Sequence, residues 1–172
     1  LMIRLQREEF GNPSSLHSMG FEAGNYIFDA REALSRTFPR DGRIVFTSGG
    51  TESDNMAIFS SCRKMRRRGK KVITTQLEHP AVLECMKRLQ EDGYEIVYLA
   101  SDVNGYVEPQ ALKAALDEET VLVSMMAVNN EVGTIEPVLP CYRIVQEFNR
   151  EHGTEILFHT DGVQAFGKVE FN

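Results

Sequence analysis

The sequence predicts an α/β fold in three layers, α/β/α, with a mainly parallel sheet covered by helices on both faces. Apolar runs of strand length alternate with helical patterns along most of the chain. One run, Val121–Val128, is almost continuously apolar, as strands buried on both faces are. No long linker, internal repeat or low-complexity segment interrupts the alternation, so one domain with right-handed crossovers is expected.

The elements follow in order. Ala23, Ile27, Ala30, Leu34 and Phe38 recur at helical spacing and predict a helix over 18–38 with one apolar face, broken by Pro39 and Gly42. Arg43–Thr47 reads as a short strand. Ser48-Gly49-Gly50 follows it, and a helix opens at Thr51 with Asp54 three residues on, close to a capping box. Lys71–Thr75 is the next strand. Pro80 suits the first turn of a helix whose Val82, Met86 and Leu89 share a face and which stops at Gly93. Glu95–Leu99 is a strand and Pro109–Leu116 a helix. Beyond the Val121 run, a helix follows Pro137 with Cys141, Ile144, Val145 and Phe148 on one side, and Ile156–His159 is a last strand.

Composition excludes several classes. At 172 residues and a formal charge of −6, the chain has ordinary globular proportions and no basic stripe. The one basic run, Arg63–Lys71, reads as a solvated helix end and loop, with a nucleic-acid contact as the minor reading. No apolar run approaches the ~20 residues that cross a bilayer, and Leu1–Phe10 lacks the pattern of a signal peptide. Cys62, Cys85 and Cys141 are odd in number and widely spaced. That is neither a disulfide framework nor a metal spacing, and packed structural thiols are the plain reading. A reducing, cytoplasmic location is expected.

In parallel sheets, ligands bind beyond the carboxyl ends of the strands. Ser48-Gly49-Gly50-Thr51-Glu52, Glu78-His79, Asn129-Asn130-Glu131, and Asp161 with Gln164 all stand at such ends. Two glycines before a helix let backbone N–H groups close on an anion at the positive end of the helix dipole, although such a pair is also simply a turn. The segment lacks both the P-loop and the dinucleotide fingerprints. His79 reads as a cap or a site residue, Asn129 and Asn130 as a turn or ligand contacts, and Asp161 as a cap, a salt-bridge partner or a ligand carboxylate.

Taken together, Gly11-Asn12-Pro13-Ser14-Ser15-Leu16-His17, Phe46–Asn55, Glu78-His79, Val128–Gly133 and His159–Gln164 occur in the order found in the cysteine desulfurases. The chain resembles that family, which is similar to the class V aminotransferases among fold-type-I pyridoxal-5′-phosphate (PLP) enzymes. The resemblance implies that residues 1–172 are a partial large, PLP-binding domain, that 1–17 enters it, and that a small C-terminal domain lies outside it. It assigns Gly50 and Thr51 to the PLP phosphate. His79 falls to ring stacking and catalytic proton movement, and Asn130 to the phenolic oxygen and the substrate carboxylate. Asp161 falls to the pyridine nitrogen and Gln164 to the phenolic oxygen.

The resemblance also implies a reaction, L-cysteine to L-alanine, with sulfur passed as a persulfide to an acceptor protein for iron–sulfur clusters or thio-modified cofactors and RNA. It implies a homodimeric parent, with no nucleic-acid or membrane partner. The family's cofactor lysine, persulfide cysteine and substrate arginine belong beyond Asn172, and Lys168 matches a different position. The expectation is therefore a fragment inactive alone that binds PLP weakly and is marginally stable or self-associating, because family strands that flank the Gly-Gly segment lie outside it. A selenocysteine lyase or other class V enzyme, and a non-catalytic PLP-binding or interaction fragment, are the alternatives.

Overall fold

The computed structural model describes residues 2–37 and 42–170. They form two compact units, one within residues 1–46 and one within 47–172.

The first unit holds two helices, α1 (Met2–Glu8) and α2 (Ser18–Ser35). The sequence reading did not anticipate α1. His17 caps α2, its Nδ1 accepting from the Gly20 N–H at 3.2 Å. The apolar spacing of α2 does not translate into burial. Ala23 and Leu34 are half-buried, while Ile27 and Phe28 are exposed. The expected Phe38 and Pro39 end of this helix lies outside the described residues. Arg43–Thr47, expected as a strand, pairs with no strand. An extended segment becomes a strand only when a neighbouring strand takes up its N–H and C=O groups; among the described residues no strand does, and the Ile44 carbonyl instead accepts from Arg31 Nε at 3.2 Å.

The second unit carries the sheet. Helix α3 (Gly50–Met65) leads to β1 (Lys71–Thr75). The chain continues through α4 (Pro80–Glu91), β2 (Glu95–Leu99), α5 (Pro109–Ala115), β3 (Thr120–Ser124), α6 (Val138–His152) and β4 (Leu157–His159). The four strands are all parallel in the order β2-β1-β3-β4. The apolar run 121–128 is a strand only to Ser124. Beyond it the chain leaves the ladder but keeps two strand-like bonds, Met125 N–H to His159 O and Ala127 N–H to Asp161 O.

Period-two alternation sends neighbouring strand residues to opposite faces, and two cores result. Val72 packs with Ile58 and Cys62 of α3 and Val82, Met86 and Leu89 of α4. Ile73 and Val123 pack with Leu112 of α5 and Cys141 and Val145 of α6. β1 and β3 are buried at all five residues, as strands covered by helices on both sides must be. Gly93 (φ 83°) and Gly153 (φ 67°) adopt the left-handed conformation that ends α4 and α6. Lys71 departs from the solvated basic run. It is buried, with Nζ 2.6 Å from Asp117 Oδ2 and 2.8 Å from Ala115 O, tying β1 to the turn before β3.

The chain runs outward from β1 to β2 and then crosses back to β3. That reversal places the topological switch point at the carboxyl ends of β1 and β3.

Candidate functional site

A cavity of about 370 Å³ opens at that switch point. All six residues singled out from the sequence, Gly50, Thr51, His79, Asn130, Asp161 and Gln164, line it. They come from the start of α3 and from the segments that follow β1, β3 and β4.

Glycines 49 and 50 are not there for backbone reasons. Gly49 is extended (φ 163°), and a Cβ built on it meets nothing within 4 Å. A Cβ on Gly50 would come 3.0 Å from Val163 Cγ2, a side chain free to shift. What the pair leaves is open space at the start of a helix that no side chain caps. Such a helix start favours an anion. The expected Thr51–Asp54 box does not form, because α3 begins one residue earlier, at Gly50. Instead Glu52 reaches back, its Oε2 accepting from the Ser48 N–H at 2.6 Å, and that bonding to Ser48 holds its carboxyl below the usual range.

His79 is both cap and site residue. Its Nδ1 accepts from the Ala81 N–H at 3.1 Å at the start of α4, so the ring proton falls on Nε2. The two asparagines divide the readings left open for them. Asn129 is buried and structural. Its Oδ1 accepts from the N–H groups of Glu131 and Val132, and its Nδ2 donates to Leu77 O at 3.1 Å. The turn so formed turns Asn130 to the cavity. Asp161 is buried, with Oδ1 accepting from the Val163 N–H at 2.9 Å. Gln164 Oε1 accepts from exposed Lys168 at 3.0 Å.

Three further acidic or basic groups received no role in the site from the sequence, although Glu78 stood among the strand-end residues. Asp54 lines the cavity and is buried. His159 stands behind it, with Nε2 3.5 Å from Asp54 Oδ1 and Nδ1 2.9 Å from Ser124 Oγ. Glu78 is 4% exposed, and its Oε1 accepts from the Met126 N–H at 2.8 Å and from Thr75 Oγ1 at 3.0 Å. Burial pushes its carboxyl up to about 8 against those two bonds, and the Asp161 and Asp54 charges push the same way. The signal for Glu78 was its place at a strand end. Asp54 and His159 gave none, since they meet only through the fold.

The three cysteines are free and buried in the cores, and none lines the cavity. Burial pushes the thiols of Cys62 and Cys141 up to about 12 and that of Cys85 up to about 11. They are packing groups rather than nucleophiles. No lysine lines the cavity among the described residues.

The family model "Aminotransferase class-V" matches residues 2–172. The chain belongs to the class-V aminotransferase family. Among curated relatives it is 44% identical over 167 residues to the cysteine desulfurase IscS of Dictyoglomus turgidum, covering 96% of this chain and 41% of that one. It is 43% identical to the putative cysteine desulfurase IscS 1 of Bacillus subtilis, covering 92% of this chain and 40% of that one. A solved structure described as a NifS-like protein superposes with a TM-score of 0.90 at 42% identity, over 99% of this chain and 46% of that one. DndA from Streptomyces lividans gives 0.82 at 34%, over 97% and 46%. The class-V chain thus spans about two-fifths of the length of its curated relatives.

A solved structure of similar fold at 18% identity, a C-DES mutant, is described with glycine covalently linked to its PLP cofactor. The cavity fits that cofactor on its own chemistry. Its volume lies within the range of small-molecule sites. It offers an uncapped helix start with room where glycine side chains would be, a buried carboxylate, an imidazole and two amides. A phosphate, a protonated ring nitrogen, a ring face and a phenolic oxygen ask for that set.

Proposed function

We propose that this chain is the cofactor-cradling part of a PLP-dependent cysteine desulfurase that converts L-cysteine to L-alanine and passes the sulfur to an acceptor protein. The convergence of six residues, from the start of α3 and from the segments after β1, β3 and β4, on one cavity carries this reading. Desulfurase relatives at 43–44% identity support it. So does a relative at 33% identity whose structure is described as a complex with cysteine.

PLP, when bound, supplies an electron sink for charge developing at the substrate carbon. The chain's own residues bind and orient. The Gly50 and Thr51 end of α3 holds the phosphate. The Asp161 carboxylate keeps a proton on the pyridine nitrogen, since an opposite charge favours the charged form. His79, fixed through Nδ1, presents its ring to the cofactor plane and a proton on Nε2. Asn130 and Gln164 donate toward the phenolic oxygen. With no lysine at the cavity and no reactive thiol among the described residues, the chain's part is cofactor placement.

The test is a PLP titration of the purified chain followed by absorbance, with borohydride trapping and mass spectrometry. Saturable binding, competed by inorganic phosphate and weakened by Asp161→Asn, is expected without a covalent adduct. Absence of saturation, or an adduct on one specific lysine, overturns the proposal.

A further inference from the structure

Among the buried ionisable groups, Glu78 has no part in the roles above, yet its side chain bonds to the backbone of Met126, which lines the cavity. Its backbone position follows β1 and precedes His79, and its side chain crosses to the segment just beyond β3. One oxygen, Oε1, takes both available donors, the Met126 N–H and Thr75 Oγ1. The other, Oε2, is buried without a partner among the described residues. Met126 itself lines the cavity, so the bond to its N–H fixes part of the wall.

The groups facing Glu78 decide which carboxyl carries charge. Asp54 of α3 and Asp161 beyond β4 both bear on it electrostatically. Thr75 of β1 and the Met126 amide just beyond β3 contribute dipoles only, and the adjacent His79 is occupied as a helix cap. Carboxylates crowded in a dry site cannot all ionise, and the most deeply buried takes the proton. Asp54 has His159 beside it, and Asp161 has the Val163 N–H. Glu78 Oε2 has neither an ion nor a donor.

We propose that Glu78 is a positioning residue of the cofactor site, its carboxyl kept protonated by burial of the unpartnered Oε2 and anchoring the Met126 wall through Oε1. The inference rests on the reading of the cavity as a PLP cradle. Glutamine in its place reproduces a neutral group with an acceptor oxygen. Alanine removes the acceptor and strands a buried N–H.

The experiment follows the ligand-free chain and the PLP-titrated chain in wild type, Glu78→Gln and Glu78→Ala. In the ligand-free wild type, the Met126 amide resonance should titrate with a midpoint near 8, and in Glu78→Gln it should be flat. The absorbance of bound PLP should show the same inflection in wild type and lose it in Glu78→Gln. PLP affinity at pH 7 should be retained in Glu78→Gln and fall about tenfold in Glu78→Ala. A Met126 amide that does not titrate between pH 6 and 9, or an inflection that survives in Glu78→Gln, overturns the inference and leaves the PLP reading standing. A titrating amide in a chain that binds no PLP overturns the role at the cofactor site together with the PLP reading.

Discussion

The ring of His159 bridges two elements of the site, and its worth can be measured. It sits on β4, two residues before Asp161, with Ser124 of β3 at 2.9 Å on Nδ1 and Asp54 of α3 at 3.5 Å on Nε2. Ser124 donating to Nδ1 is the arrangement that leaves a proton on Nε2 to face Asp54. Ser124 is fully buried, so Ser124→Ala deletes a hydrogen bond that no solvent replaces. The cost should be roughly 1–3 kcal/mol, the penalty for an unsatisfied buried polar group. Asp54→Asn acts on a longer contact and keeps a hydrogen-bonding side chain, so it should cost about 1 kcal/mol or less. Both changes act through one ring, and the double mutant should depart from additivity by about 0.5–1.5 kcal/mol.

Urea denaturation of the four chains at pH 7.5, extrapolated linearly, reads these values. The same four chains should order in PLP affinity as they do in stability, because the ring sets where Asp161 lies relative to the α3 start. Additivity within about 0.3 kcal/mol, or a Ser124→Ala chain as stable as wild type, would refute the bridge.

Three further predictions follow from other parts of the fold. The carboxyl of Glu78 is raised from 4.5 to about 8 in the folded chain, so between those values the folded state holds a proton that the unfolded state has lost. Stability should therefore fall as pH rises through that window, by at most about 1.4 kcal/mol per unit, and Glu78→Gln should flatten the slope in pH-dependent melts. A Cβ on Gly69 would stand 2.2 Å from Glu119 O, a backbone atom beside the first β1–β3 pair. Gly69→Ala should cost about 1–3 kcal/mol, whereas Gly49→Ala, facing open space, should leave folding nearly unchanged and weaken PLP binding. The three thiols should resist a colorimetric disulfide reagent in the native chain and react only in denaturant, and fast native labelling of any of them would contradict their packing role.

What the sequence made legible divides by how local the physics is. The bounds of β1 and β2 came out correctly because each is a short apolar run closed by turn residues. The three-layer arrangement was legible because β3 is apolar on both faces. Strand-end logic picked out the segments, the family resemblance picked the six residues within them, and all six line one cavity. Local reasoning failed where a partner decides the outcome. Arg43–Thr47 has strand composition and, among the described residues, no strand beside it. The α2 spacing marks an apolar stripe, but Ile27 is exposed. Lys71 looked like one more charge in a basic run until Asp117 arrived from the turn before β3.

The same division explains why the site's polar scaffold was less visible than its lining. Ligand-facing residues follow strands, and position along the chain reveals them. The groups that hold them act across the fold. Ser124 meets His159 across adjacent strands, Glu78 meets Met126 between the segments just beyond β1 and β3, and Asp54 meets His159 between the first helix of the unit and its last strand. Each of these side chains is buried or nearly so, and each has a neighbour that repays its loss of water. A buried polar residue at a strand's end is therefore a double signal. Where it opens into the cavity, as Asp161 does, it is a candidate for the ligand. Where it turns inward to a backbone N–H, as Glu78 does, it sets the wall against which that ligand rests.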